Sequence, residues 1–213
     1  MEKEAYLLDV DYVVREGEPV LRLFLSDGND PLLGYYEGFS PYFYVVPGEG
    51  EEEELEDSLL DLEFEDGDDR VKVTGVDREV KQVDNEDRTV FKTYVNLPVN
   101  VPKVKDRVKE WDEVETKREF DIPFYKRFLV DKGLKPGSSV KVEGDDFEPF
   151  DDEQDSPALQ IDRIEQSDEK DIFETEPLAF DLEVLDDEII MCSFFSQGFR
   201  KVLVSYDFEF DAS

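Results

Sequence analysis

The chain has 213 residues, with 58 Asp and Glu against 24 Lys and Arg, a net charge of −34. An aromatic content of 13% separates it from disordered acidic chains, so it folds around a core despite a mean hydropathy of −0.56. The absence of histidine excludes Ser-His-Asp and Cys-His hydrolases and His-ligated zinc. A single cysteine, Cys192, excludes an internal disulfide, and no apolar run reaches the ~18 residues of a membrane span. The opening MEKEAYLLDV has no basic region ahead of an apolar stretch, so it does not read as a signal peptide, and a reducing cytoplasm is the expected address.

In chain order, residues 5–14 alternate as a strand, Glu16-Gly17-Glu18 is a turn, and 20–26 is the returning strand of a hairpin. Residues 40–46 begin with Pro41 and form an aromatic-rich strand. A short helix is expected around 54–62, then strands over 70–76 and 88–95. Pro102 opens a helix with Val104, Val108 and Trp111 on one stripe. Residues 114–120 read as a charged strand. Asp121 is placed to cap a helix over 123–132, with Phe124 and Phe128 inward and Gly133 as a left-handed stop. Strands follow at 138–144 and 158–166, around an acidic linker. Three more are expected at 178–184, 188–197 and 201–206. This order is α+β and β-rich, without the regular βαβ series of a doubly wound fold.

The charge is widespread, which suits a protein working in molar salt, where the Debye length falls to ~3 Å and self-repulsion is screened. It is also uneven. Residues 49–69 hold 13 acids and no base, and 143–155 hold 8 acids. Residues 101–141 hold 11 bases against 8 acids. Such an island is the footprint of a phosphate-binding face, formed here by Lys103, Lys105, Arg107, Lys109, Lys117, Arg118 and Lys126. Ion pairing with neighbouring acids would account for the same clustering.

In LAFDLEV, residues 178–184, Leu178, Phe180, Leu182 and Val184 share one strand face, and Asp181 and Glu183 share the other. Two carboxylates so placed can hold a divalent metal for phosphodiester hydrolysis. The spacing is common in a chain this acidic, and the signal is the apolar strand that carries it. Tyr12, Pro41-Tyr42, Val90 and Ile122-Pro123-Phe124 either serve the core or form a flat slot in which a base can stack.

Three segments, LLDVDYVVREGEPVLRLF (7–24), FSPYFYVV (39–46) and FDIPFYKRFLVDKGL (120–134), resemble in order the N-terminal part of archaeal family B DNA polymerases. TVFKTYVNLPVNVPKVKDRV (89–108) fits the same pattern, and LAFDLEV stands where that family carries its first exonuclease motif. Segments 49–88 and 138–176 diverge. The resemblance implies a mixed and antiparallel template-reading domain over 1–145, an acidic linker and strand over 146–176, and the first strands of an RNase H-like 3′–5′ exonuclease domain over 177–213. It implies a pocket for uracil in single-stranded template DNA, made of Tyr12, Pro41, Tyr42, Val90, Ile122, Pro123 and Phe124 and supported by Arg127. Tyr12 and Tyr42 would be walls, and main-chain groups near Ile122 would read the base edge, where thymine's methyl would clash. Asp181 and Glu183 would be two ligands of Mg2+ once an exonuclease domain is completed. The later exonuclease carboxylates and the polymerase motifs are absent from these 213 residues. The expected function is therefore that of a DNA polymerase portion that binds template but is not catalytic alone, with single-stranded DNA and the remaining polymerase polypeptide as partners, no membrane, and a halophile's cytoplasm as setting. The alternative is a non-catalytic interaction or regulatory module derived from that domain.

Overall fold

The computed structural model describes residues 2–28, 30–67, 69–148, 157–167 and 178–205. The chain divides into two units, residues 1–172 and 173–213.

The first unit opens with β1 (Glu2–Arg15) and β2 (Glu18–Ser26), a hairpin turned at Glu16 and Gly17, both with positive φ. Two consecutive left-handed residues match the right-handed twist of the flanking strands. β3 (Pro31–Tyr36) pairs back on β2. The chain then crosses to β4 (Tyr42–Pro47), α1 (Glu52–Leu60), β5 (Glu63–Asp66), β6 (Asp69–Val83) and β7 (Glu86–Val95). A 3-10 turn over Pro98–Asn100 leads into α2 (Val101–Val108), β8 (Val114–Arg118) and α3 (Phe124–Lys132). β9 (Ser138–Phe147) and β10 (Ala158–Gln166) return to the first strands.

Two sheets result. One is a closed barrel in the order β1-β2-β3-β10-β9, completed by parallel pairing of β10 with β3. The strand at 158–166, which the sequence reading grouped with an acidic linker, is thus a barrel stave. Leu7, Leu21, Leu23, Leu25, Val140, Val142, Leu159 and Ile161 fill the interior, with Phe124 and Phe128 of α3 packed into the same cluster. The close crossing at the β9–β10 bulge needs Gly144, because a Cβ there would collide with the Gln160 carbonyl.

The other sheet runs β5-β6-β7-β4-β8. One face, with Phe43, Val45, Phe91 and Val95, packs on Leu55 and Leu59 of α1 and on Val101, Val104 and Val108 of α2. The opposite face carries Tyr42, Tyr44, Val46, Val83 and Val90, with Tyr94 packed against them. β4 is buried along its length, so the run reads as continuous aromatic and β-branched residues.

Two expectations change here. The strand expected to stop at Val76 continues to Val83 and turns at Asp84-Asn85, both at positive φ. Its charged residues concealed it, because apart from the buried Val83 the side chains of this extension are mostly exposed. The helix expected to be capped by Asp121 has Pro123 as N-cap: the Arg127 N–H donates to the Pro123 carbonyl at 2.9 Å, and no side chain caps it. Gly133 does end it in the left-handed region, at φ 65°.

The second unit is an antiparallel meander of β11 (Ala179–Leu185), β12 (Glu188–Ser196) and β13 (Phe199–Val204). Its turns lie at Asp186-Asp187 and Gln197-Gly198. The sequence pattern suggested a buried apolar face on β11. Instead Leu178, Phe180, Leu182 and Val184 are all exposed, and so are Ile189, Phe195, Phe199 and Val202. Among the described residues of this unit, the meander's core-type side chains are exposed.

Candidate functional site

Six of the eight residues singled out for a base slot line one cavity of about 280 Å3: Pro41, Tyr42, Ile122, Pro123, Phe124 and Arg127. Local sequence explains why. Pro41 precedes a fully buried strand, and its carbonyl accepts from Val95 N–H at 2.9 Å, which fixes the entry to β4. Pro123 sits at φ −55° and ψ 141°, so it starts α3 abruptly and leaves Ile122 in the turn ahead of it. Neither the N–H nor the C=O of Ile122 bonds another main-chain group among the described residues. The far wall is Pro98, Val101 and Pro102, which sequence reasoning missed. The paired prolines of NLPVNVP were the available signal, and they read only as a helix start.

The other two residues lie elsewhere. Tyr12 belongs to the barrel cluster and meets Phe124 edge-on at 5.4 Å, so it backs the cavity without lining it. Val90 lies in a second cavity of about 220 Å3, with Tyr44, Lys81, Val83, Arg118 and Glu119. A larger hollow of about 470 Å3, bordered by Arg15, Glu18, Glu37 and Asn96, holds none of the predicted residues.

Tyr42 is more than a wall. Its hydroxyl donates to the Asp131 carboxylate at 2.7 Å, and its ring holds the Arg127 guanidinium at 4.7 Å and the Lys92 ammonium at 4.1 Å. Burial, and then the hydrogen bond to Asp131, push its phenol far above the ordinary tyrosine range. It is therefore neutral at any working pH. Arg127 is 5% exposed. Burial opposes its charge, but bonds from its two terminal nitrogens to the Glu119 carboxylate and, at 2.9 Å, to the Glu119 carbonyl hold it firmly protonated.

The basic island divides. Lys103 pairs with Asp66 and Asp69, both at 2.9 Å, Lys105 pairs with Asp106 at 2.8 Å, and Arg118 pairs with Asp84 at 3.0 Å. Arg107 stacks over Phe64. Arg107, Lys109, Lys117 and Lys126 have no carboxylate within 4.0 Å among the described residues. Pairing thus accounts for part of the clustering and leaves four bases available.

Asp181 and Glu183 sit two apart on β11, opposite Ser193 and Met191, and both are exposed. A Mg2+ ion takes six oxygens in near-octahedral geometry, so two carboxylates supply only part of a site. No group of three or more acidic, Cys or His side chains gathers for a metal among the described residues.

No family model matches the chain. Over 140 residues it is 33% identical to the DNA polymerase of Thermococcus gorgonarius, which is 66% of this chain and 17% of that protein. The DNA polymerases of Desulfurococcus sp. (strain Tok) and Thermococcus kodakarensis align over the same length at 33% and 32%. The fold matches the family B DNA polymerase of the archaeon Pyrobaculum calidifontis at a TM-score of 0.68, with 20% identity over 95% of this chain and 27% of that one. Over these 140 residues the chain is thus similar in sequence to archaeal DNA polymerases, and its fold is similar to that of a family B DNA polymerase. It spans about a sixth of the length of the first two relatives. No helix among the described residues is long and apolar enough to cross a membrane.

Proposed function

We propose that the first unit is the template-reading portion of an archaeal-type family B DNA polymerase, which binds single-stranded DNA and admits uracil to the cavity at Pro41, Tyr42 and Ile122–Phe124. The observation that carries this reading is the convergence of six residues from two distant segments on one small cavity. Its volume lies near the lower end of the ~300–1,000 Å3 of small-molecule sites, which suits one base rather than a stacked pair. The base would lie against the proline and Phe124 surfaces, with the unbonded main-chain groups of Ile122 facing its edge. Arg107, Lys109, Lys117 and Lys126 would supply phosphate contacts. The second unit would be the opening of a 3′–5′ exonuclease domain, with Asp181 and Glu183 holding Mg2+ only alongside further ligands from additional polypeptide. The setting would be a salt-rich cytoplasm.

The test is fluorescence anisotropy in molar KCl with two oligonucleotides that differ by one uracil in place of thymine. Tighter uracil binding, lost in Ile122→Arg, supports the reading, because that substitution fills the slot without touching the core. Equal binding by the unaltered chain overturns it. The ion pairs of Lys103, Lys105 and Arg118 favour a second reading, an interaction module that no longer contacts DNA. The triple change of Lys109, Lys117 and Lys126 to Glu separates the two: it abolishes DNA binding under the first and changes nothing under the second.

A further inference from the structure

Two cavities of the first unit adjoin one ion pair. Arg127 lines the slot with Pro41 and Tyr42, while Glu119 lines the neighbouring cavity with Tyr44 and Val90. The guanidinium donates through one terminal nitrogen to the Glu119 carboxylate and through the other to the Glu119 carbonyl. One residue offers both acceptors because Glu119 adopts φ 58°, a left-handed conformation seldom taken by a residue with a side chain. The pair is lopsided: the Arg127 side chain is 6% exposed and the Glu119 side chain 45%. On its other side Arg127 faces the Tyr42 ring, whose hydroxyl is committed to Asp131, a carboxylate that also favours the Arg127 charge.

We infer that Glu119 is a positioning residue, a clamp that fixes the Arg127 guanidinium as the wall between the two cavities and so sets the width of the base slot. This rests on the base-reading proposal for its selectivity, though not for the clamp itself. With the carboxylate gone, the guanidinium keeps one main-chain acceptor and a ring face, neither of which fixes its plane. It can then swing out, the slot opens toward Val90, and selection by size is lost.

The test uses Glu119→Ala and Glu119→Gln in molar KCl with two readouts. The first is modification of Arg127 by phenylglyoxal, mapped by mass spectrometry, with exposed Arg163 and half-buried Arg22 as internal references. Arg127 should react about tenfold faster in E119A, the change that one lost charge-assisted hydrogen bond gives. E119Q, whose amide oxygen still accepts, should restore most of the protection, and Arg22 should stay protected in both. The second readout is the ratio of uracil to thymine affinity, which should fall toward one in E119A and recover in E119Q. Unchanged protection of Arg127 in E119A overturns the clamp. A chain that binds both oligonucleotides equally overturns base reading, and the clamp is then judged by reactivity alone. Should E119A also expose Arg22, as global unfolding would, Glu119→Asp carries the test: selective exposure of Arg127 supports the clamp and equal protection overturns it.

Discussion

Tyr42 shows how much one side chain can be asked to do. Asp131 stands in the last turn of α3, where the helix dipole disfavours a negative charge, and the Tyr42 phenol answers it. Tyr42→Phe should therefore destabilise the first unit by about 1.5 kcal/mol, the low end for a bond to a charged group because Asp131 is also solvated. Urea denaturation would measure it. A second residue-scale expectation concerns acid. Arg88 grips the Glu115 carboxylate at 2.6 Å, a hydrogen bond that holds it below the usual carboxylate range. Because the folded value is the lower one, the pair contributes stability above the unfolded value of ~4.3 and loses it as pH falls through the folded value. In Arg88→Gln, NMR titration should return Glu115 to the ordinary range. At this scale the sequence was legible where proline marked it. Pro41 and Pro123 mark the starts of β4 and α3, while the residues alone left open whether Tyr42, Ile122 and Phe124 serve the core or a slot. Glu119 was not legible, because an acid in a charged strand reads as solvent-facing, and only its φ reveals its other use.

At the scale of elements, period-two alternation located most strands, and the apolar stripe of Val104 and Val108 located α2. What alternation could not supply was pairing. The parallel match of Ala158–Ile161 to Leu33–Tyr36 joins segments separated by more than a hundred residues, and nothing local encodes it. Gly144 is the local trace of that closure. Gly144→Ala should overpack the β9–β10 crossing and cost about 1–3 kcal/mol, again by urea denaturation. The meander of β11 to β13 shows the limit of pattern from the other side. LAFDLEV has the alternation of a half-buried strand, and both of its faces are open. Pattern reports what a strand is suited to bury, while burial needs a second layer.

For the whole molecule the governing quantity is charge. A net −34 is strongly self-repelling at low ionic strength, and the described ion pairs offset it only locally. Thermal unfolding followed by circular dichroism should show the melting temperature rising steadily between 0.1 and 2 M KCl. A flat profile would mean that short-range pairs, not screening, hold the acidic surface together. The proposed DNA binding would weaken over the same range through counterion competition, so under that proposal the two effects define a window in which the binding assay must sit.

Barrel closure through β10 also has a consequence in time. The hairpin of β1 and β2 and the strand β3 leave the ribosome early, but the stave that covers the open edge of β3 is made more than a hundred residues later. At ~5–20 residues per second that is a wait of several seconds or more, during which β3 offers unpaired main chain to whatever is near. The acids that crowd residues 49–69, emerging in that interval, would repel neighbouring acidic nascent chains. Acidic charge in this segment would thus act before the fold is finished as well as after.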